Sequence, residues 1–374
     1  MLIALNLVFL VPGETGGMET YARELIPRLA ERDDLSVTCL VNREAAEAAG
    51  GPWGAVCPME VVPVRARSRV EWVRGEQQHV PRIAERLGAD LVHSFASTAP
   101  LWGKVPRVTT VHDLNYLLVP EAHFGLRGLG MRVLVPAAAR RSRRVIVDSA
   151  STKRDLERRL GIAAEKIDVV PLAAELPADR SATPEAELRE RLHLGGRSVV
   201  ISPGTKRPHK NAEGAIAALA RIEQELRPVL VITGYRTEYE ENIRACATAL
   251  GVADHLRMPE WLSRNDMEGL YAIASAVVFP SRYEGFGLPV LEAMIRGVPV
   301  ITSNRSSLPE VAGGAALLVD PDDPAAIAHA LRELTGDSAL RARLVRAGHA
   351  RAEQFSWAQT ADLTVASYRR ALGS

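Results

Sequence analysis

The sequence predicts an α/β protein built from two successive doubly wound halves, each a parallel sheet flanked by helices. Two observations carry this reading. Short β-branched runs alternate with longer amphipathic stretches along nearly the whole chain, which is the pattern of βαβ units. The alternation lapses once, from Pro171 to Pro184, where Pro, Ala and scattered charge show no period, and then it resumes. At 374 residues the chain is long enough for two separate cores.

In order, the first half is expected to place strands at Ile3–Leu10, Ser36–Val41, Glu60–Val64, Asp90–Ser94, Arg107–Val111, Arg144–Asp148 and Asp168–Val170. Helices are expected between several of them, at Met18–Arg32 and Val70–Leu87 for example, with Pro27 kinking the first. In the second half Ser198–Ser202, Val229–Thr233, Ala276–Phe279, Pro299–Thr302 and Ala316–Val319 read as strands. Ser263 with Asp266 forms a capping box that opens a helix over Arg264–Ala274. Asp323-Pro324 opens another towards Leu334, with proline at the first helical position.

Composition narrows the function. Hydrophobic residues make up 47% and charged residues 24%, and the formal charge of +1 gives no electrostatic case for nucleic acid as a partner. Cys39, Cys57 and Cys246 show no paired spacing, which argues against a disulfide framework or a zinc site and fits a reducing compartment. Met1 to Pro12 is apolar enough to imitate a signal-peptide core. It carries no basic leader, contains Asn6 and is too short to span a bilayer, so it is read as a buried strand and the protein as cytoplasmic.

The most informative stretch runs from Pro280 to Met294, P-S-R-Y-E-G-F-G-L-P-V-L-E-A-M. An apolar strand ends, a loop with two glycines follows, and a helix begins near Leu288-Pro289. Open α/β sheets bind ligands beyond the carboxyl ends of their strands, where helix N-termini offer unpaired N–H groups to anions. Gly285 and Gly287 admit backbone close to a ligand. Glu284 before the helix and Glu292 within it can then address one elongated, hydroxyl-rich ligand, with phosphates between them. The plainer alternative is a simple turn with Glu284 solvated and Glu292 paired to a neighbouring arginine.

The form E-G-F-G-L-P-V-L-E-A-M closely resembles the signature of glycosyltransferase family 4, the retaining GT-B enzymes also described as glycosyl transferases group 1. The resemblance extends along almost the whole chain. Gly13-Glu14-Thr15-Gly16-Gly17-Met18-Glu19-Thr20 is similar to the family's amino-terminal glycine loop, which implies that Gly16 and Gly17 approach the donor diphosphate. His112-Asp113 in V-H-D-L-N-Y is similar to a segment whose histidine reaches the donor sugar. Arg144 to Asp148, Ser149, and Thr152 to Asp155 also resemble the family, and are read mainly as scaffold. Pro203 to Asn211, P-G-T-K-R-P-H-K-N, resembles the phosphate-binding loop, which makes Lys210 the cation for the leaving group. His209 and Thr205 stand where arginine is found in the family, and Arg207 is the neighbouring cation that would compensate. Met258-Pro259-Glu260-Trp261-Leu262 lies where the family contacts the nucleobase, with Glu260 in place of a common glycine. Ser306-Ser307-Leu308-Pro309-Glu310 follows the family pattern with Glu310 read as structural.

The resemblance implies a GT-B fold of two Rossmann-like domains facing across a cleft. Residues 1–172 form the acceptor-binding domain, joined by the C-terminal helix 356–374 that crosses back to it. Residues 173–185 form the linker, and residues 186–355 bind the nucleotide sugar. The implied reaction moves a sugar from a nucleoside diphosphate sugar to a hydroxyl acceptor (a saccharide, a lipid-linked glycan or a natural-product aglycone). It proceeds with retention and with no metal or other cofactor. His112, Lys210 and Glu284 are the catalytic candidates. The donor set is Gly16, Gly17, Thr205, Arg207, Lys210, Trp261, Leu262, Glu284, Phe286, Gly287, Leu288 and Glu292, with Phe286 to Leu288 acting through backbone N–H groups. The alternatives are a non-catalytic GT-B protein that binds nucleotide sugar or glycan, and a nucleotide-sugar epimerase or phosphorylase on the same fold. A NAD dehydrogenase is disfavoured because no strand leads into G-x-G-x-x-G. The arginine cluster at Arg140, Arg141, Arg143 and Arg144 reads as a solvated helix face, with docking at a membrane surface as the second reading.

Overall fold

The structure is a computed structural model, and it describes residues 1–48, 54–119, 126–179, 181–260 and 262–373. The described residues form two compact units. The first takes in Met1–Leu117, the stretch ending at Leu172 and the C-terminal residues from Ser356, while the second runs Ala173–Phe355.

The first unit contains a seven-stranded sheet of β1 (Leu2–Leu7), β2 (Ser36–Val41), β3 (Met59–Val61), β4 (Leu91–Ser94), β5 (Arg107–Thr110), β6 (Arg144–Val147) and β7 (Ile167–Val169). Its order is β3-β2-β1-β4-β5-β6-β7, and every pairing is parallel. The second unit repeats the plan with β8 (Val199–Ser202), β9 (Val229–Ile232), β10 (Leu256–Arg257), β11 (Ala274–Phe279), β12 (Val300–Ser303) and β13 (Leu317–Val319), in the order β10-β9-β8-β11-β12-β13, again all parallel. Both sheets therefore reverse direction of winding beside their first strand. That reversal opens a crevice between β1 and β4 in one unit and between β8 and β11 in the other.

The strands are unbroken apolar runs because both faces of each sheet are covered. In the second unit Val200, Leu230, Ile232, Val278 and Ile301 pack against Ile216, Leu219, Ile243, Ile327 and Leu331 from the flanking helices, all at most 3% exposed. In the first, Ala4, Val8, Leu40 and Val92 pack against Val62, Val64, Val80 and Ala84. Each fully buried aliphatic side chain contributes about 1.5–3 kcal/mol, so these two layers hold the sheets rigid.

Several expectations shift in detail. The first strand ends at Leu7 rather than Leu10, because Asn42 Nδ2 takes the Val8 and Leu10 carbonyls at 2.9 and 2.8 Å and turns the chain away from the sheet. The stretch expected as one helix over Val70–Leu87 has its middle, Gly75–His79, as a π-turn between Arg69–Arg74 and Val80–Leu87. Pro81 has no N–H for the Gln77 carbonyl, and the wider turn absorbs that missing bond. The helix Gly17–Ala30, by contrast, continues through Pro27. Strand β10 was not anticipated: two residues are too few to show an alternation. The box at Ser263 and Asp266 is present with both of its hydrogen bonds.

The last helix, Trp357–Leu372, belongs to the first unit. Thr360 Oγ1 donates to the Pro171 carbonyl at 2.7 Å, Ser367 Oγ donates to Asp168 at 2.7 Å, and Arg370 pairs with Asp168 at 2.9 Å. Tyr368 Oη meets His93 Nδ1 at 2.7 Å in the buried interior. No described helix is long and apolar enough to cross a membrane. Three arginines of the cluster have partners within the unit: Arg140, at the end of the helix Leu126–Arg141, donates to the Leu160 carbonyl, Arg141 lies 5.7 Å from the Trp102 ring, and Arg144, in β6, pairs with Asp168.

Candidate active site

In the second unit, the loops after β8 and β11 flank the crevice where the winding reverses. They are the two segments that carry Lys210 and Glu284. Lys210 ends a short 3-10 turn, Pro208–Lys210, and Glu284 follows β11 by a few residues. Lys210 Nζ donates to Glu284 Oε1 at 2.7 Å and stands 5.1 Å from the Phe279 ring centre. The pair is mostly buried, at 22% and 12% side-chain exposure, yet still open to a ligand.

The surrounding hydrogen bonds show why this pair is held. Asn211, at a left-handed φ of 58° and fully buried, donates to the Pro280 carbonyl at 3.1 Å and the Pro321 carbonyl at 2.6 Å. Ser281 Oγ and Arg282 N–H both donate to the His209 carbonyl, at 2.9 and 2.7 Å. Ser306 Oγ accepts the Glu284 N–H at 3.0 Å, and Ser307 Oγ bonds the Glu284 and Phe286 carbonyls at 2.9 and 2.6 Å. The Glu284–Gly287 loop is thus fixed from both sides before any ligand arrives, which is the preorganisation a charged ligand requires. Gly287, at φ 120°, caps the helix Leu288–Ile295, and a Cβ there would lie 2.7 Å from Leu308 Cδ2. Phe286 is buried and stacks edge-on with Phe355 at 5.8 Å, so it can offer a ligand only its backbone.

Glu292 sits inside that helix. Its carboxyl is raised above its ordinary value, first by burial and then by the charge of Glu268, against the lowering influence of Arg296. Arg296 does not pair with it: the guanidinium holds Glu268 through Nε at 3.0 Å and Nη2 at 2.5 Å and lies over the Tyr271 ring at 4.9 Å. Among the described residues Glu292 has no ion pair of its own, which removes the plain reading of a structural Glu–Arg bridge.

The β8 loop divides its cations by task. Lys206 is buried, its Nζ donating to the Gly234 carbonyl at 2.9 Å and standing 3.6 Å from Glu240. It staples the loops after β8 and β9, where a Cβ on Gly234 would fall 2.2 Å from the Gly204 oxygen. His209 is buried as well, whereas Arg207 is half-buried with no ion pair among the described residues. Thr205 lies half-buried in the same loop and Leu262 follows β10, also half-buried. Glu260 pairs with Arg236 at 3.2 Å on the surface. Trp261 lies outside the described residues.

In the first unit, the turn after β1 is tied by Glu19, which accepts the Gly13 N–H at 2.7 Å and is held by Arg23. Gly16 has φ 62° and Gly17 opens the helix, and a Cβ at either would meet no atom within 4 Å. His112 follows β5 by two residues and Asp148 follows β6 by one. The register Thr110 opposite Ile146 carries forward to set them side by side. His112 Nδ1 lies 2.7 Å from Asp148 Oδ2 and Nε2 lies 2.9 Å from the Phe95 carbonyl. Both neighbours are acceptors, an arrangement that favours the doubly protonated ring. Burial alone would lower the imidazole pKa; Asp148, Asp113 and the Phe95 carbonyl outweigh it and hold the ring above its ordinary value. Both ring nitrogens have partners within the first unit, so the ring is held in one orientation.

Sequence models of known families match both units: "Glycosyltransferase Family 4" over residues 15–176 and "Glycosyl transferases group 1" over residues 185–351. The chain is 34% identical over 267 residues to the O-antigen chain mannosyltransferase B of Escherichia coli, covering 70% of each protein. The chain belongs to glycosyltransferase family 4. It is also 30% identical to the D-inositol 3-phosphate glycosyltransferase of Acidothermus cellulolyticus, over 96% of this chain and 87% of that one. Among solved structures, the sucrose-phosphate synthase of Thermosynechococcus elongatus superposes with a TM-score of 0.78 at 22% identity, over 99% of this chain and 98% of that one. Anabaena HepE in complex with UDP-glucose does so with a TM-score of 0.78 at 21% identity, over 98% and 99%. These likenesses establish the GT-B fold.

For a family 4 chain, the roles that the motifs did not reveal are those of residues that position others: Asn211, Ser281, Ser306 and Ser307 around Glu284, Lys206 and Gly234 behind the β8 loop, and Asp148 beside His112. Only Asp148 left a readable trace. It and His112 each end an apolar strand, and neighbouring parallel strands bring such ends together.

Proposed function

We propose that this family 4 glycosyltransferase moves a hexose from a nucleoside diphosphate sugar to a hydroxyl acceptor, with retention at the anomeric carbon and without a metal ion. The observation that carries it is the Lys210–Glu284 pair at the carboxyl edge of the second sheet, where winding reverses. In this reading the donor phosphates take Lys210 Nζ, with Arg207 beside it, and the backbone N–H groups at the start of the helix Leu288–Ile295. Glu284, released from Lys210, accepts from the sugar hydroxyls. Glu292 accepts from the ribose hydroxyls, and its raised carboxyl, which has no ion pair among the described residues, gains from such donors. Thr205 and Leu262 border the nucleotide. Gly16 and Gly17 are assigned to the donor phosphate and His112 to the donor sugar, as the family resemblance implies.

As the glycosidic bond breaks, negative charge grows on the phosphate oxygens, and a preplaced cation stabilises that change more than it stabilises the bound donor. No side chain is assigned as a covalent nucleophile. Departure of the diphosphate and attack by the acceptor on the same face yields retention. The relatives act on mannosyl and inositol phosphate substrates by name, and a similar structure holds UDP-glucose, which supports a polyol acceptor and a nucleotide-sugar donor here.

The test is a panel of UDP-, GDP-, ADP- and dTDP-sugars, first by thermal shift and then by product formation with saccharide and inositol phosphate acceptors. One class should stabilise the protein by about 2.7 kcal/mol at a hundred times its dissociation constant. The product should keep the donor's anomeric configuration by NMR, and a chelator should leave the rate unchanged. An inverted product would refute the retaining mechanism.

A further inference from the structure

We propose that Cys39 and Cys57 are a thiol pair that a peroxide converts, reversibly, into an intramolecular disulfide pinning the edge of the first sheet. Their spacing in sequence gives no hint of it, but the fold brings them together. Cys39 lies in β2, opposite Met59 of the edge strand β3, and its N–H donates to the Pro58 carbonyl at 2.9 Å. That bond fixes the residues just before β3 beside Cys39 and leaves the two Sγ atoms 3.0 Å apart. That is inside the van der Waals separation of two sulfur atoms, and a disulfide needs a further approach of about 1 Å.

The two thiols differ in a useful way. Cys39 is fully buried, whereas Cys57 is 8% exposed and can be reached by a small oxidant. The hydrogen bond from Cys39 lowers the Cys57 thiol, against the opposing effect of burial, while the same contact and burial raise Cys39. Cys57 is therefore the nucleophile and Cys39 the resolving thiol. The Cys57 thiolate attacks one oxygen of hydrogen peroxide, the O–O bond breaks, and the departing hydroxide takes a proton to become water. The resulting sulfenic acid is attacked by the Cys39 sulfur, which gives up its proton as the S–O bond breaks and a second water leaves. Two thiols and one peroxide yield one disulfide and two waters. The closed loop includes Asn42, whose amide holds the Val8 and Leu10 carbonyls, so the bond also tethers the start of the glycine turn.

Trypsin cuts at Arg43, between the two cysteines, which makes the test direct. The full-length protein is treated with hydrogen peroxide, blocked with an alkylating agent and digested without reductant. Peptide 33–43 should appear joined to peptide 44–65, lighter than their sum by two hydrogens, and should separate on reduction. The oxidised protein should melt several degrees higher, since closing the loop restricts the unfolded chain. Cys57→Ser should abolish the linked peptide and Cys246→Ser should keep it. The wild-type digest alone decides the matter if the Cys57 variant does not fold. Cys57 converted to sulfinic acid with Cys39 still alkylatable, or disulfide-linked dimers through Cys246, would overturn the proposal.

Discussion

Lys210 and Glu284 form one electrostatic unit, so their substitutions should not add. Lys210→Ala removes the cation that meets growing charge and leaves Glu284 without its partner. Initial rates should fall by roughly 10²-fold or more for Lys210→Ala and for Glu284→Ala, and the double variant should fall by far less than the product of the two. Glu292→Ala should mainly weaken donor binding, since ribose contacts change little as the bond breaks. His112 gives a second test at this scale. Its folded pKa is raised, so its stabilising contribution is complete below the unfolded value of 6.5 and is lost as pH rises through the folded value. NMR titration should find a pKa above 6.5 for His112 that falls in Asp148→Asn, and an unmoved pKa in that variant would refute the pairing. Glu76 acts with the same sign for a different reason. Burial raises its carboxyl from 4.5 to about 7 despite donors from Asn6, Thr98 and Gln77. The folded protein then holds a proton that the unfolded chain has lost, and stability falls by about 3 kcal/mol as pH rises across that window. Denaturant melts of Glu76→Gln should show a flatter dependence between pH 5 and 8, roughly the span of that titration.

At the level of elements, the sheets were legible because a parallel strand buried on both faces must be apolar throughout, and such runs stand out against the polar loops. Ser36–Val41 reads directly as a strand for that reason. What was not legible depends on contacts between distant segments. The end of β1 is decided by Asn42, and the π-turn at Gly75–His79 by how the chain accommodates Pro81. The donor loops were legible as motifs because their residue types follow from phosphate and sugar chemistry. The serines that brace them were not, since a loop serine looks the same whether it braces a carbonyl or faces water. Two glycines separate packing from binding. Gly234→Ala should destabilise the protein by roughly 1–3 kcal/mol, because its φ of 100° and the nearby Gly204 oxygen leave no place for a methyl group. Gly17→Ala should leave the melting temperature unchanged or slightly higher while weakening donor binding, because no protein atom needs the space. A Gly17→Ala protein with undiminished affinity would remove that turn from the donor site.

For the whole molecule, the chain repeats one strand order twice and then returns its last helix to the first unit. The return depends on a polar knot at Asp168, which takes Arg144, Ser367 and Arg370 together and is held below its ordinary pKa by them despite burial. Asp168→Ala should lower stability by about 2 kcal/mol in denaturant melts, a value discounted because Arg370 is half exposed. The family resemblance implied such a helix, but no local pattern identified its partners, because His93, Asp168 and Pro171 are remote in sequence from Tyr368, Ser367 and Thr360. The central claim is that the second unit grips a sugar diphosphate at the Lys210–Glu284 pair. A crystal structure with the stabilising nucleoside diphosphate sugar tests it most directly. The claim predicts a phosphate oxygen within about 3 Å of Lys210 Nζ, sugar hydroxyls on Glu284 and ribose hydroxyls on Glu292; a nucleotide bound elsewhere, with the Lys210–Glu284 ion pair intact, would contradict it.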